Sequence, residues 1–148
     1  MDIRKANNDD VDLGLLELYA EGYIYHRAGR PDIFPDKDKN ILKIELLKAI
    51  EEEKVLLVGK DNLILGYILY QIKEKHPEIM WVDQLVIRDD SRNRGLGKVL
   101  LNEVKKQAKE KNCKRLELSC WSFNTNAINI YEHLGLGIQR YIFELNLD

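Results

Sequence analysis

The sequence predicts an α/β protein with one mixed sheet and helices on both faces, in the element order βααβββαβαβ. Three observations support this fold class. Near-continuous apolar residues at 54–60 and 63–73 are typical of central strands. The stretch from Trp81 to Ala108 reads as a strand, a short polar loop and a helix with one apolar stripe. A further strand and helix follow at 115–134.

The bulk composition indicates a single domain over residues 1–148. A chain of 148 residues with 45% hydrophobic and 32% charged residues can bury a core of its own. Its formal net charge of −2 gives no overall attraction to nucleic acid or to an anionic membrane, so we expect neither as a partner. No apolar run approaches the length of a membrane span, and residues 1–5 lack the apolar region of a signal peptide.

The cysteines and histidines suggest a cytoplasmic protein without a metal site. Cys113 and Cys120 make no disulfide framework, and a reducing compartment is the default without an export signal. The three histidines, at positions 26, 76 and 133, lie far apart in sequence. We therefore expect no metal as a cofactor.

In the first third of the chain, a short strand at 3–6 is predicted to precede two helices. The first helix starts after Asn8-Asp9-Asp10, which supplies capping side chains, and ends near Ala28-Gly29. A loop at 30–35 carries Ile33 and Phe34 between two prolines. The second helix is predicted over residues 36–53.

The middle of the chain is predicted to form a hairpin and then the strand at 81–87. Asp61-Asn62 is the expected turn between the apolar runs at 54–60 and 63–73. His76-Pro77 is expected to break the chain before the strand at 81–87 begins.

The last third is predicted to contain two helices and two strands. Lys111-Asn112 ends the helix that residues 92–98 open, and a strand follows at 115–121. Asn124 is a good cap for a helix over 125–134, which Gly135 ends. From Gly137 onward apolar residues alternate with polar or smaller ones, which predicts a closing strand.

The start of the helix near Leu96 has the properties of an anion site. Gly95 and Gly97 leave the backbone uncovered, and the first N–H groups of a helix have no internal partner. These groups lie at the positive end of the helix dipole, where phosphate or pyrophosphate binds readily. Arg92, Arg94 and Lys98 add positive charge at the same place.

Two common phosphate motifs fit this stretch less well. A Walker loop requires Gly-Lys-Ser/Thr, but Val99 follows Gly97-Lys98. A dinucleotide fingerprint requires a third glycine where Leu100 stands. An ordinary glycine-bearing turn is the remaining alternative.

Two motifs together resemble the GNAT superfamily of N-acetyltransferases. The Arg-x-x-Gly-x-Gly pattern at 92–97 resembles its acetyl-CoA signature, in the expected place between a strand and a helix. Asn124, Ala127, Tyr131 and Gly135 are spaced as in its second signature. The resemblance is close over residues 80–138. It departs at Leu136, where the family usually has Phe, and at Asp89-Asp90, where a Pro is common.

The resemblance implies a GNAT-like acyl-CoA N-acyltransferase fold and acetyl transfer from acetyl-CoA to a primary amine by direct attack in a ternary complex. It implies a cleft where the strand at 81–87 splays from the strand at 115–121. Backbone groups of Leu85, Val86 and Ile87 would pair with pantetheine, and the Asn124 side chain would bind the same arm. The pyrophosphate would be held by Arg92, Asn93, Arg94, Gly95, Leu96, Gly97 and Lys98.

By the same resemblance, Tyr131 is the proton donor for the departing thiolate and also borders the cofactor. The alternative for Tyr131 is a core aromatic residue. The Ile87 N–H is the implied oxyanion donor. A protonated amine also needs a base. Asp83, Glu21, His26 and His76 are candidates, and the sequence does not choose among them.

The acceptor is the least determined part of the prediction. Glu21, His26 and Phe34 are the expected substrate-binding residues, with Asp32, Asp36 and Asp38 nearby. Acidic groups suit a polyamine, a lysine or a protein N-terminus, so the acceptor can be a small molecule or a peptide. A homodimer is left open. Two other functions remain: a catalytically idle acetyl-CoA sensor, and a nucleotide-phosphate-binding domain unrelated to CoA.

Overall fold

The computed structural model describes all 148 residues and contains five strands and four main helices. The elements are β1 (Asp2–Lys5), α1 (Leu16–Gly29), α2 (Lys39–Glu51), β2 (Val55–Lys60), β3 (Leu63–Lys73), β4 (His76–Ile87), α3 (Leu96–Glu110), β5 (Arg115–Leu118) and α4 (Thr125–His133). Short helical turns at Val11–Leu15 and Asp89–Ser91 precede α1 and α3.

One mixed sheet organises the molecule, which confirms the predicted fold class. The strands follow one another in the order β1-β2-β3-β4-β5. All neighbours are antiparallel except β4 and β5, which are parallel and joined through α3. Parallel strands need a crossover of this kind, and α3 supplies it.

Two apolar clusters cover the two faces of the sheet. Under α1 and α2 lie Leu15, Leu46 and Tyr67, which are fully buried. Under α3 lie Ile68 and Leu100, also fully buried. Because Tyr67 and Ile68 are consecutive on β3, they point to opposite faces, and the near-continuous apolar run of this strand follows from burial on both sides. None of the helices combines the length and the apolar composition that a membrane-spanning helix requires.

An ion pair between the exposed Arg4 and the buried Asp10 connects β1 to the start of the first helical segment. Both oxygens of Asp10 accept hydrogen bonds from the Arg4 guanidinium, at 2.7 and 2.8 Å. The backbone N–H of Asn7 donates a further bond of 2.8 Å to the same carboxylate. The Arg4 hydrogen bonds hold the pKa of Asp10 below its usual value, although burial acts in the opposite direction. Asp10 therefore stays charged inside the fold.

Most predicted boundaries are confirmed within a few residues. Asp61 and Asn62 have φ of +52° and +66°, as the predicted hairpin turn requires. The second helix starts later than expected, at Lys39, because the Asp38 side chain accepts from the Ile41 N–H and caps the helix there. β5 ends at Leu118, three residues before the predicted end.

The prediction of a break at His76-Pro77 was wrong, since both residues lie at the start of β4. The pairing of β3 with β4 shifts between Ile72 and Lys73, where Ile72 pairs with Met80 and Lys73 with His76. Pro77 falls in this irregular stretch and so removes no regular ladder hydrogen bond.

The prediction of a closing strand was also wrong. The order matches the prediction as far as α4, but residues 138–148 belong to no strand. These residues form no backbone–backbone hydrogen bond. Their alternating apolar side chains remain exposed instead of packing on the sheet.

Candidate active site

The site begins where β4 and β5 separate. Their parallel pairing runs from Ile79 with Arg115 to Val82 with Leu118 and then stops. β4 continues to Ile87 and stays paired with β3 on its other side. The edge of β4 from Asp83 to Ile87 therefore faces an opening instead of a neighbouring strand. Leu85, Val86 and Ile87, the predicted pantetheine-binding residues, lie on this free edge.

The amino-terminal end of α3 offers a row of uncapped backbone donors. None of the N–H groups from Asn93 to Lys98 has a hydrogen-bond acceptor in the protein. Gly95, at the cap position, has φ of +77°, and Asn93 has φ of +63°. These left-handed conformations turn the loop into the helix. Six adjacent free donors at the positive end of a helix make a cradle for a phosphate group.

The cradle and the free edge are adjacent. A Cβ built on Gly97 would meet only the Cδ2 atom of Leu85, at 3.8 Å. Leu85 therefore lies directly beneath the first turn of α3. A ligand with a pyrophosphate and an extended polar arm fits this continuous path, because each part meets matching hydrogen-bonding groups.

The predicted cations divide into two groups. Arg92 forms a 2.7 Å ion pair with Asp89 and also donates to the Ile87 carbonyl oxygen. Arg94 and Lys98 take part in no ion pair or side-chain hydrogen bond, so their charges remain available to an anion. The acidic loop residues do not oppose this, because Asp89 is paired with Arg92 and Asp90 with Arg88.

Tyr131 lies on α4 with its hydroxyl unpaired. No protein group hydrogen-bonds to this hydroxyl, and burial raises the pKa of Tyr131 to about 12, with a smaller contribution from Cys120. The phenol is therefore protonated at neutral pH and can donate a proton. Asn124 caps α4, as predicted, by accepting from the Ala127 N–H at 3.3 Å. Its side-chain amide nitrogen has no protein partner.

Asp83 occupies a bulge in β4 at the point of separation. Leu69 pairs with Gln84 and Tyr70 with Val82, so Asp83 is the extra residue. Its carboxylate accepts a 3.1 Å hydrogen bond from Gln71. Although the residue keeps contact with solvent, partial burial raises the pKa of Asp83, against the lowering effect of Gln71.

An aromatic cluster borders the opening on the α1 side. Two predicted substrate residues, His26 and Phe34, lie in it with ring centroids 5.5 Å apart. Trp121 and Phe123, which follow β5, complete it and stack at 6.3 Å. Both aromatic residues were missed in the prediction. The sequence feature that could have indicated them is the presence of two aromatic residues in the short stretch between a strand and a capped helix.

Glu21 and His76, the other two candidate bases, are placed less favourably for proton transfer than Asp83 and His26. Glu21 is exposed on α1 and has no hydrogen bond or ion pair. His76 lies at the opposite end of β4, roughly 20 Å along the strand from Asp83 at the usual rise per residue. It pairs with Glu78 at 3.7 Å, which makes it unsuitable as the base.

His26 has a defined tautomer. Its Nδ1 lies 2.8 Å from the Gly22 carbonyl oxygen, and a carbonyl can only accept. Nδ1 therefore carries a proton, and the Nε2 atom of the neutral ring has a free lone pair.

A surface depression lies elsewhere, near the carboxy-terminal end of α2. It has a volume of about 400 Å³ and is lined mainly by polar residues, among them Asn7, Asp9 and Glu51. The backbone N–H groups of Asn7 and Asp9 there already donate to side-chain oxygens, so it offers no row of free donors like that of α3. Nowhere in the chain do three or more His, Cys, Asp or Glu side chains gather as they would around a metal ion.

Comparisons with known proteins agree with this geometry. The model of the acetyltransferase (GNAT) family matches residues 15–136. The L-ornithine N5-acetyltransferase NATA1 of Arabidopsis thaliana is 29% identical over 133 residues, which cover 84% of this chain and 57% of that protein. The chain spans about half the length of the curated relatives it matches, at 57%, 53% and 50%.

Solved structures show the same fold. A mutant of the BH1408 protein from Bacillus halodurans has a TM-score of 0.86 at 24% identity, covering 99% of both chains. The PaiA N-acetyltransferase of Thermoplasma acidophilum, in complex with coenzyme A, has a TM-score of 0.73 at 20% identity, covering 93% of this chain and 90% of that one. Because the family model matches residues 15–136, most of the sequence, the chain belongs to the GNAT family of acetyltransferases.

Proposed function

We propose that this chain is an acetyl-CoA-dependent N-acetyltransferase whose acceptor is a small molecule with a primary amine. The observation that carries the proposal is the row of six free N–H groups from Asn93 to Lys98, which continues into the unpaired edge of β4. Membership of an acetyltransferase family supports the reaction class.

In this proposal the α3 cradle holds the pyrophosphate of acetyl-CoA. The N–H groups of Asn93 to Lys98 donate to its oxygens, and the Arg94 and Lys98 side chains add charge. Arg92, already paired with Asp89, orders the loop and acts as a weaker contributor. The backbone of Leu85 to Ile87 pairs with the pantetheine arm as an added strand would, and the free amide nitrogen of Asn124 donates to the same arm.

Tyr131 is the proposed general acid. Amine attack on a thioester expels a thiolate, whose conjugate thiol has a pKa near 8.5, so proton donation speeds its departure. The Tyr131 hydroxyl is protonated because its pKa is about 12. It has no protein partner that would compete for the proton. The Ile87 N–H, on the free edge, is the proposed donor to the carbonyl oxygen as charge develops on it.

Asp83 is the proposed general base. It lies in the bulge next to the opening. Its pKa is raised, which makes the carboxylate a stronger base than an ordinary aspartate. His26 is the alternative, because its Nε2 lone pair is free while Nδ1 is bonded to Gly22. Glu21 has no feature that favours it over these two residues as the base.

The acceptor is proposed to be an amine of low molecular weight with methylene groups and a second polar end. The rings of His26 and Phe34 would pack against methylene groups, while Asp83 and Glu21 would favour a positively charged acceptor. The similarity to an L-ornithine N5-acetyltransferase supports this class, although that relative is much longer than the present chain. Ornithine and linear diamines are therefore the first compounds to test.

Two measurements test the proposal. Free thiol released from acetyl-CoA should appear only when ornithine, a diamine or a related amine is present. A catalytically idle sensor would instead be stabilised by acetyl-CoA without amine-dependent thiol release. Thermal shifts with ATP and NAD address the third function, because a nucleotide-phosphate-binding domain would be stabilised by these ligands and not by acetyl-CoA.

A further inference from the structure

A chain of polar side chains runs from the start of β2 across β3 and ends at Asp83 on β4. Lys54 lies just before β2, where its carbonyl oxygen accepts a 3.0 Å hydrogen bond from the Tyr70 N–H of β3. The Nζ atom of Lys54 donates to Gln71 Oε1 at 3.2 Å, and Gln71 Nε2 donates to Asp83 Oδ2 at 3.1 Å. A positive charge is thus connected, through one neutral amide, to the carboxylate of the proposed general base.

The Gln71 amide can take only one orientation in this chain. An ammonium group only donates hydrogen bonds, and a carboxylate only accepts them. The oxygen of the Gln71 amide must therefore face Lys54, and its nitrogen must face Asp83. Because both charged ends favour the same orientation, the two bonds together fix the amide more firmly than either bond would alone.

The orientation of this amide affects the protonation state of Asp83. An N–H donor directed at a carboxylate stabilises its charged form. A carbonyl oxygen in the same place would accept from the protonated acid and would stabilise the neutral form instead. Without Lys54, the Gln71 side chain could reverse its amide and offer either group. Lys54 prevents the reversal, because it would bring the amide N–H donors against those of the ammonium group.

The other charged and titratable groups that face Asp83 do not hold this amide. Burial raises the pKa of Asp83, whereas its hydrogen-bond donors and the charges of two nearby lysines lower it. One of these lysines, Lys73, has its ammonium group 4.1 Å from the centre of the Trp81 ring and outside the polar chain. The Tyr19 phenol on α1 is neutral at physiological pH, because burial, with the charges of Glu45 and Asp83, raises the pKa of Tyr19 to about 12.

We propose that Lys54 is a positioning residue, which fixes the Gln71 amide so that a hydrogen-bond donor stays directed at Asp83 and favours the charged form of that carboxylate. The inference rests on the proposed role of Asp83 as the general base. Lys54 acts through Gln71 and not on the reacting groups. Its own charge is balanced by Glu52, at 2.7 Å, so the bond to Gln71 is not needed to pair it.

A titration of Asp83 tests the proposal in the full chain without any substrate. NMR follows the carboxyl carbon resonance of Asp83 with pH in isotope-labelled protein, and its loss in Asp83→Asn identifies it. Lys54→Met should raise the pKa of Asp83 by about 0.5 or more, because the amide is then free to turn its oxygen toward the acid. Lys54→Arg keeps a cationic donor and should leave the pKa of Asp83 near that of the wild type.

Two controls separate the orientation of the amide from the effect of charge alone. Lys73→Met removes another positive charge near Asp83 without touching the polar chain, so it should shift the pKa of Asp83 less than Lys54→Met does. In a Gln71→Leu background, Lys54→Met should have little further effect, because the residue through which it acts is absent. Circular dichroism monitors folding, and Lys54→Ala replaces Lys54→Met if that variant does not fold.

The pH dependence of kcat/KM connects this carboxylate to turnover. With an amine that the wild type uses, Lys54→Met should move the acidic limb to higher pH by as much as it moves the pKa of Asp83. At pH values below the limb, kcat/KM should therefore fall about threefold.

Several outcomes would overturn the proposal. These are an unchanged pKa of Asp83 in Lys54→Met, an equal shift in Lys73→Met, and a full shift in the Gln71→Leu background. An acidic limb that stays in place while the pKa of Asp83 moves would also overturn it. If the wild type releases no thiol with any amine, the proposed function is refuted instead. The titration needs no turnover and would still decide whether Lys54 acts on Asp83 through Gln71.

Discussion

Replacing Gly97 by alanine should stabilise the free protein and at the same time weaken acetyl-CoA binding. Gly97 lies in the first turn of α3 and its φ is not positive, so alanine can adopt its conformation. The new Cβ would meet only Leu85 Cδ2 at 3.8 Å, an ordinary contact. Alanine restricts the unfolded chain and favours the helix, which gives a gain of about 0.5 kcal/mol. For a domain of this size, Tm should rise by about 1–2 °C.

The loss of affinity follows from the same methyl group. The Cβ covers part of the row of N–H groups that we assign to the pyrophosphate. One weakened hydrogen bond to a charged oxygen costs about 1.5–3 kcal/mol. The Kd for acetyl-CoA should therefore increase roughly 10- to 150-fold. Isothermal titration calorimetry measures the affinity, and thermal melts without ligand measure the stability.

Gly22→Ala is the matched control, because Gly22 lies inside α1 and a Cβ there would contact Val86 Cγ2 at 3.5 Å. This variant should gain similar stability and keep its affinity for acetyl-CoA. Unchanged affinity of Gly97→Ala would refute the assignment of the α3 cradle to the pyrophosphate. A clear loss of stability would show instead that the glycine is needed for packing.

Three further predictions concern proton transfer and stability. Tyr131→Phe should lower turnover roughly 10²–10⁴-fold with little change in acetyl-CoA affinity. Turnover is measured at saturating cofactor, once chemistry is shown to limit the rate. Full activity of the variant would mean that Tyr131 only packs in the core. Asp83→Asn should remove the acidic limb of the pH–rate profile. If His26→Gln removes this limb and Asp83→Asn leaves it in place, the base is His26. The pKa of Asp83 is higher in the folded than in the unfolded protein, so the folded state loses stability as pH rises from the unfolded to the folded pKa. Because asparagine does not ionise, Asp83→Asn should have a higher Tm than wild type at neutral pH. Asp10→Asn should destabilise the protein by about 2 kcal/mol at neutral pH. Since the folded pKa of Asp10 is lowered, chemical denaturation should show this difference shrinking as pH falls below about 4.

The sequence was informative where structure depends on neighbouring residues. The Asp61-Asn62 turn and the cap at Asn124 were predicted, because each depends on local backbone and capping preferences. The helix predicted to open within residues 92–98 begins at Leu96, so that Gly95 is its cap residue and only Gly97 lies in the first turn. The order of elements as far as α4 followed from apolar periodicity for the same reason. The uncapped N–H groups at the start of α3 could be anticipated from the two glycines alone.

Features that depend on distant segments could not be predicted in this way. The bulge at Asp83 exists because the β3 and β4 ladders shift register, which no local pattern in β4 indicates. The aromatic cluster joins α1, the loop at Phe34 and the residues after β5, so its members are far apart in sequence. The segment after Gly137 has the alternation of a strand, but alternation alone does not determine whether a segment pairs in a sheet, and residues 138–148 do not.

The central claim is that acetyl-CoA binds along the free edge of β4 and the start of α3. The most direct test is an amide chemical-shift titration of the isotope-labelled full chain with acetyl-CoA. We predict the largest changes at Leu85 to Ile87 and at Asn93 to Lys98, with the amides of the α3 cradle becoming protected from hydrogen exchange. Changes centred instead on the depression near Asn7 and Glu51, or none in the α3 cradle at saturating ligand, would contradict the proposed site.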